Sequence, residues 1–373
     1  MTDGRPLVAD DIRALEAIVG ADITISLRPY VEYATVDAMR NFARAYGDDN
    51  PLFGDESYGA SSPWGSIVAP PLFPIATGAP VPCAPDAARQ LDRALAGTAM
   101  EVIYDRWHLL RVIPPGIRLE RTNSISAVKP SERDGLLVAT VTTRSVYRSG
   151  GEVYAINERV RDHGARSISD ATEPREGRTH YDDGTIADID ALYAAQRRRG
   201  ATGFPPGEPA RGQSFGPIVK GPLTITDLVA YRGGVGPGPF GVEPLGLAVR
   251  NRRARPGFYD RDAVGAWDAR ERLHWDVGYA RQCGHPSAYD YTHTRLNWMV
   301  HLLTDWIGDA GRLALISFSH LAHNYVGDTH WINGTVTTVD ESDKGRDITV
   351  DVRAVNQLGL LTCRATATLA LPR

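Results

Sequence analysis

Apolar residues recur along this chain with two periods, and the order in which those periods alternate repeats once. Residues 9–19 carry helical spacing, with Asp10 and Asp11 in the first turn, where carboxylates complement the positive end of a helix. A second helix is predicted over 36–46, with Met39, Phe42 and Ala43 on one face and Asp37 and Arg40 on the other. Gly47 ends it, and the polar turn from Asp48 to Phe53 follows. The apolar run from Ser66 to Phe73 has prolines early enough to start a helix, which Pro74 and Gly78 would keep short. Residues 98–128 read as strand, broken at Pro114, Pro115 and Gly116. Residues 135–161 predict a long hairpin turning at 149–151.

Residues 163–185 lose almost all apolar character and read as a linker. A charged amphipathic helix over 186–199 and an irregular stretch over 200–219 follow. The pattern then restarts. A helix over 224–231 mirrors 36–46, and a Gly/Pro-rich run from Gly233 leads into an insertion at about 241–270. A polar loop then enters an apolar helix within 272–306, and strands end in a hairpin over 346–371. Phe53 to Pro71 spans 18 residues, as does His274 to Thr292. This order of features predicts a tandem duplication of one helix-plus-sheet unit, an α+β fold.

Length and charge narrow the picture. A chain of 373 residues can hold two domains. A net charge of −4 with no strongly basic half argues against non-specific nucleic-acid binding. Cys83, Cys283 and Cys363 are far apart and form no CxxC pair, so the expectation is a reducing, cytoplasmic setting. No apolar run reaches the length of a membrane span, and the first residues lack a secretory signal.

Helix, then Gly47-Asp48-Asp49-Asn50-Pro51, then an apolar helix and antiparallel strands, resembles the MaoC-like enoyl-thioester hydratases and dehydratases in fused form. The resemblance implies a double hot-dog fold, two helices each wrapped by a curved antiparallel sheet. It divides the chain into an N-terminal unit at 1–162, a connector at 163–215 and a C-terminal unit at 216–373. Tyr46–Phe53 with Val68–Pro71 looks like the non-catalytic partner. Leu273–Asp276 with Ala280 and Gly284 looks like the end of the catalytic motif, and Tyr289-Asp290-Tyr291 with Arg295 and Trp298 resembles a subgroup of acyl dehydratases. The family uses an Asp and a His five residues apart, with a glycine N–H at the helix start as oxyanion donor. Here Asp48 matches the Asp, but Phe53 stands at the His position. His274 matches the His, but Ala269 stands five residues before it, and Thr292 stands where the glycine would be.

The resemblance implies a hydro-lyase acting across Cα–Cβ of an acyl thioester, on coenzyme A or a carrier protein, with no metal or organic cofactor. His274 is the candidate base, because imidazole titrates near neutrality. Asp290 or Asp268 is its candidate carboxylate partner, and Asp276 reads rather as a helix cap. Thr292 would donate its backbone N–H, and Tyr289, Tyr291 and Arg295 would line the pocket or grip an anion. The bland reading makes these a solvated arginine and core tyrosines. His301 and Asp305 are four apart on the apolar helix; with no third ligand evident they read as a packing or surface pair. Asp48 ends a helix or binds the other half, and His320 and His323 read as strand residues. Gly233–Gly241 lacks the Lys-Ser/Thr of a phosphate loop. Arg250, Arg252, Arg253 and Arg255 form a lid over the site or a solvated face. Two other functions stay open: a non-catalytic acyl-thioester-binding partner and a hot-dog thioesterase. A homodimer is compatible with each.

Overall fold

The computed structural model describes residues 5–25, 29–80, 85–164, 180–236, 243–254, 256–343 and 345–372. Cys83, Arg255, most of the 163–185 connector and the part of the glycine-rich run after Gly236 lie outside these residues. Ten strands form one sheet. They are β1 (Ala79–Pro80), β2 (Met100–Leu109), β3 (Glu120–Arg133), β4 (Leu136–Ser149), β5 (Glu152–His163) and β6 (Ser214–Lys220). After the small hairpin β7 (Tyr259–Arg261) and β8 (Trp267–Ala269) come β9 (Arg312–His320), β10 (His330–Ser342), β11 (Gly345–Asn356) and β12 (Leu361–Pro372).

The strand order is β1-β3-β4-β5-β2-β9-β12-β11-β10-β6. Reading outward from the middle, each half runs in the same sequence order, so the duplication predicted from periodicity is a two-fold arrangement of two five-stranded sets. They meet edge to edge, with β2 antiparallel to β9 from Tyr104↔Ser319 to His108↔Leu315. Each half thereby covers one open edge of the other, removing a site for aberrant strand pairing. This is a double hot dog.

The helix Thr292–Ile307 is the core of the C-terminal half. Thirteen of its residues are buried, including Leu296, Trp298, Met299, Leu303 and Trp306. A helix apolar on all sides is stable only when surrounded, and here the inward faces of β9–β12 supply Ile316, Phe318, Ile348, Val350, Val352, Ala365 and Ala367. Each large side chain taken fully from water contributes about 1.5–3 kcal/mol. Among the described residues, the N-terminal half has no such helix at the matching place. Where a short helix was expected after Ser66, the chain is extended and closes only a 3-10 turn, Phe73–Ala76. Pro70, Pro71 and Pro74 lack the N–H groups that a continuing helix needs. A separate layer, helices Ala9–Glu16 and Pro85–Leu95, covers one end of that half through Ile12, Leu15 and Ala94.

The equivalent helices Val36–Arg44 and Ile225–Val235 cross at small residues. A Cβ on Gly234 would sit 2.5 Å from the Asn41 carbonyl oxygen and 2.5 Å from the Ala45 methyl, so only glycine allows this approach.

Candidate active site

The C-terminal loop places His274 in a 3-10 helix, Arg270–His274, directly before the helix Val277–Gln282. Asp276 caps that second helix through the Tyr279 N–H at 2.9 Å, as the cap reading expected. His274 Nδ1 lies 2.9 Å from the Tyr289 carbonyl oxygen. A carbonyl only accepts, so Nδ1 carries the proton and Nε2 the lone pair. Burial, with Arg232 and His323 adding repulsion, pushes the imidazolium down to about 4, although the Tyr289 bond opposes this. The ring is therefore neutral at pH 7. It packs on Tyr291, centroids 4.2 Å apart, and on Tyr289 at 4.9 Å.

Tyr291 precedes the long helix, which starts at Thr292 with no side-chain cap. The first-turn N–H groups of Thr292 and His293 are at the positive end of a 16-residue helix, directly after Tyr291, on which His274 packs. The Tyr291 hydroxyl is buried without a hydrogen-bond partner among the described residues. Burial and the nearby Glu271 raise its pKa.

Two expected partners of His274 are elsewhere. The Asp290 carboxylate is bound by Arg295 at 2.9 and 3.4 Å and by Asn324 at 3.0 Å, all within the core. Arg295 in turn donates to the Ala322 and Thr362 carbonyls at 2.6 and 3.1 Å. Four of its five N–H groups are thereby taken, so it braces the fold and has no free fork for a substrate anion. Asp268 lies in the β7–β8 hairpin, where its Oδ1 accepts the Ala269 N–H at 2.7 Å. Neither carboxylate bonds His274.

A carboxylate on the same 3-10 helix as His274 was missed. Glu271 lies three residues before His274 in the 3-10 helix, and with three residues per turn such positions eclipse on one face. Glu271 pairs with Arg232 at 2.6 Å. Burial raises its pKa despite that partner. Arg232 also stands 5.5 Å from the Tyr291 ring. The Asp-to-His spacing of five suits an open loop, and it pointed to Ala269. The run Arg270-Glu271-Arg272-Leu273-His274, tightened into a 3-10 turn, carries a carboxylate three residues before the histidine instead.

The first copy of this loop–helix unit has no equivalent chemistry. Phe53, Val68 and Leu313, together with Arg111, Asp309 and Arg312, line a mainly apolar cavity of about 60 Å³ there. Phe53 carries no acid or base, Pro70 and Pro71 no N–H, and the Ala69 N–H is bonded to the Ile113 carbonyl at 2.9 Å.

His301 and Asp305 are not a surface pair. Both are buried, and Asp48 from the other half joins them, the three ligand atoms lying within 4.8 Å of one another. Lys220 Nζ is 2.8 Å from His301 Nδ1 and 3.1 Å from the Tyr46 carbonyl. Arg198 and Gln196 reach Asp305 at 3.1 and 2.9 Å. A metal-bound histidine needs an acceptor for its other nitrogen, and here that nitrogen faces an amine. Two cations already balance the two carboxylates. The group is a polar latch between the halves and the connector. His320 ends β9 as expected, whereas His323 lies beyond it in a loop.

Residues 21–156 match the family model for the FAS1-like dehydratase domain region. A solved MaoC-like dehydratase superposes with a TM-score of 0.64 at 18% identity, covering 96% of this chain and 99% of its own. The chain has the MaoC-like dehydratase fold. A MaoC-like dehydratase of Phytophthora capsici matches at 0.51 and 12% identity over 96% and 99% of the two chains. A MaoC-domain dehydratase of Chloroflexus aurantiacus matches at 0.57 and 12% over 95% of each. No curated protein matches the sequence. Among the described residues no helix is long and apolar enough to cross a membrane.

Proposed function

We propose that this MaoC-like chain adds or removes water across the Cα–Cβ bond of an acyl thioester, with its active site at the mouth of the Thr292–Ile307 helix. The observation that carries the reading is a neutral His274, with its lone pair on Nε2, sharing one face with Glu271 beside an uncapped helix start. In hydration, Nε2 takes a proton from water as the oxygen attacks Cβ. The imidazolium so formed returns that proton to Cα, while Glu271, held by Arg232, lines the same face. The enolate oxygen is stabilised by the N–H groups of Thr292 and His293, each such donor contributing on the order of 3 kcal/mol to the barrier. Dehydration runs the same steps in reverse. Thr292 needs only its backbone for this, so the absence of glycine costs nothing essential.

The N-terminal half supports the site without chemistry of its own, in keeping with Phe53 and the prolines. The acyl carrier is coenzyme A or a carrier protein. The test is incubation of the pure protein with short and long trans-enoyl-CoA esters, following the conjugated absorbance and free thiol together. Loss of absorbance without thiol is the expected result. Thiol release would make the protein a thioesterase. Neither signal, with binding retained, would make it a non-catalytic partner.

A further inference from the structure

The inward face of the N-terminal strands is unlike that of the C-terminal ones. On β5 the positions facing inward are Ala155, Asn157, Arg159, Arg161 and His163, and opposite them on β4 stand Tyr147, Ser145, Thr143, Val141 and Ala139. Asp105 and Trp107 on β2 share that face. A polar band therefore runs between the apolar cluster at Trp107 and Tyr147 and the one at Ala139 and Val141. Among the described residues, no central helix of the N-terminal half covers it.

Two arginines and two histidines converge on this band. Arg159 Nε is 2.9 Å from Asp105 Oδ1, which Asn157 also holds at 3.2 Å. Arg161 bonds Thr143 Oγ1 at 3.0 Å and has no ion pair among the described residues. Burial and the neighbouring Arg159 push the Arg161 guanidinium down to about 9, and it remains a cation at pH 7. His293, in the first turn of the long helix, is close enough to feel Arg159, Arg161 and His320, and burial with these charges holds it well below the usual histidine range. His320, 93% buried, is pushed the same way by burial, Arg295 and Arg159. Arg295 is already matched by Asp290, and Asp105, paired with Arg159, also acts on Arg161, so the band sets two guanidiniums against one carboxylate. His293 Nε2, His320 Nε2 and Arg159 Nη2 are all buried with no hydrogen-bond partner among the described residues. Unpartnered buried polar atoms around two guanidiniums that share one carboxylate make a site for an anion.

The geometry points to an acyl group that itself ends in a carboxylate, held by Arg161 with His293 and His320 while its thioester lies at the helix start. The substrate class is thus a monothioester of an unsaturated dicarboxylic acid. This rests on the hydratase reading above, but the anion site can be tested without it.

The test compares crotonyl-CoA, which ends in a methyl, with glutaconyl-CoA, which ends in a carboxylate. The ratio of kcat/KM for glutaconyl-CoA over crotonyl-CoA is expected to exceed about 10 in the wild type. It falls about 10- to 100-fold in Arg161→Gln, mainly through KM, as for loss of one hydrogen bond to a charged group. Arg161→Lys restores part of it. A wild-type ratio near one, or a ratio that Arg161→Gln does not move, overturns the proposal and leaves the hydratase reading standing. If neither ester is hydrated, that reading fails, and equilibrium titration of both esters decides the site. Tighter binding of glutaconyl-CoA that is lost in Arg161→Gln supports it, and equal binding of the two esters refutes it.

Discussion

His274 shows how one residue type can be legible while its partner is not. Its identity as the candidate base was readable from the loop, but its tautomer is set by a backbone carbonyl fifteen residues away, at Tyr289. Its partner was sought at Asp290 and Asp268, because a carboxylate near a histidine in sequence is the simplest signal. Asp290 is instead bound by Arg295 and Asn324, long-range and buried partners that no local pattern announces. The same burial makes a pH prediction. His163 and His274 are each pushed down to about 4 from an ordinary 6.5, and His293 and His320 fall in the same direction. Between pH 6.5 and 4 the unfolded chain binds protons that the folded chain refuses, so stability falls as pH falls through that window. Urea melts stepped from pH 7 to pH 4 should show a declining midpoint. A midpoint that is flat or rises toward pH 4 would mean that these rings are not buried as neutral groups.

At the scale of elements, period and turn chemistry foretold most of the architecture. The hairpin β4–β5, the hairpin β11–β12 and the helices after Thr35 and Thr224 fall where the sequence put them, with small shifts at their ends. The apolar segment after Ser66 is the informative miss. Its residues are apolar enough for a helix, but proline removes the donors, and the half that contains it closes around a polar band instead. That band was visible only as alternate arginines on β5, a pattern that reads locally as a solvated strand face. Helix crossing was not legible either, since Gly234 looked like loop material. Because its Cβ would strike Asn41 and Ala45, Gly234→Ala should destabilise the fold by about 1–3 kcal/mol, the usual cost of forcing extra volume into a packed contact. A thermal melt checks this, and an unchanged Tm would show that the two helices can separate freely.

For the whole molecule, the duplication creates two loop–helix sites and keeps chemistry at one. The other became a mainly apolar cavity beside Phe53, while the latch of Asp48, Lys220, His301 and Asp305 ties the two halves and the connector together. Lys220 is buried, and its removal would leave two carboxylates facing each other without their amine. Lys220→Ala should therefore cost about 3–5 kcal/mol, read as a lowered urea midpoint. A loss within error would show that the halves are held by the β2–β9 pairing and core alone. Asp48 and His301 were each noticed in the sequence, but their convergence depends on a fold that brings residues 253 positions apart into one cluster. The account as a whole turns on His274 at the mouth of the long helix. The most direct measurement is the initial rate of enoyl-CoA hydration by the wild type and His274→Gln, the variant first shown to be folded by its melt. The account predicts a loss of roughly 10²- to 10⁴-fold in kcat for the variant. Turnover undiminished in it would contradict the account.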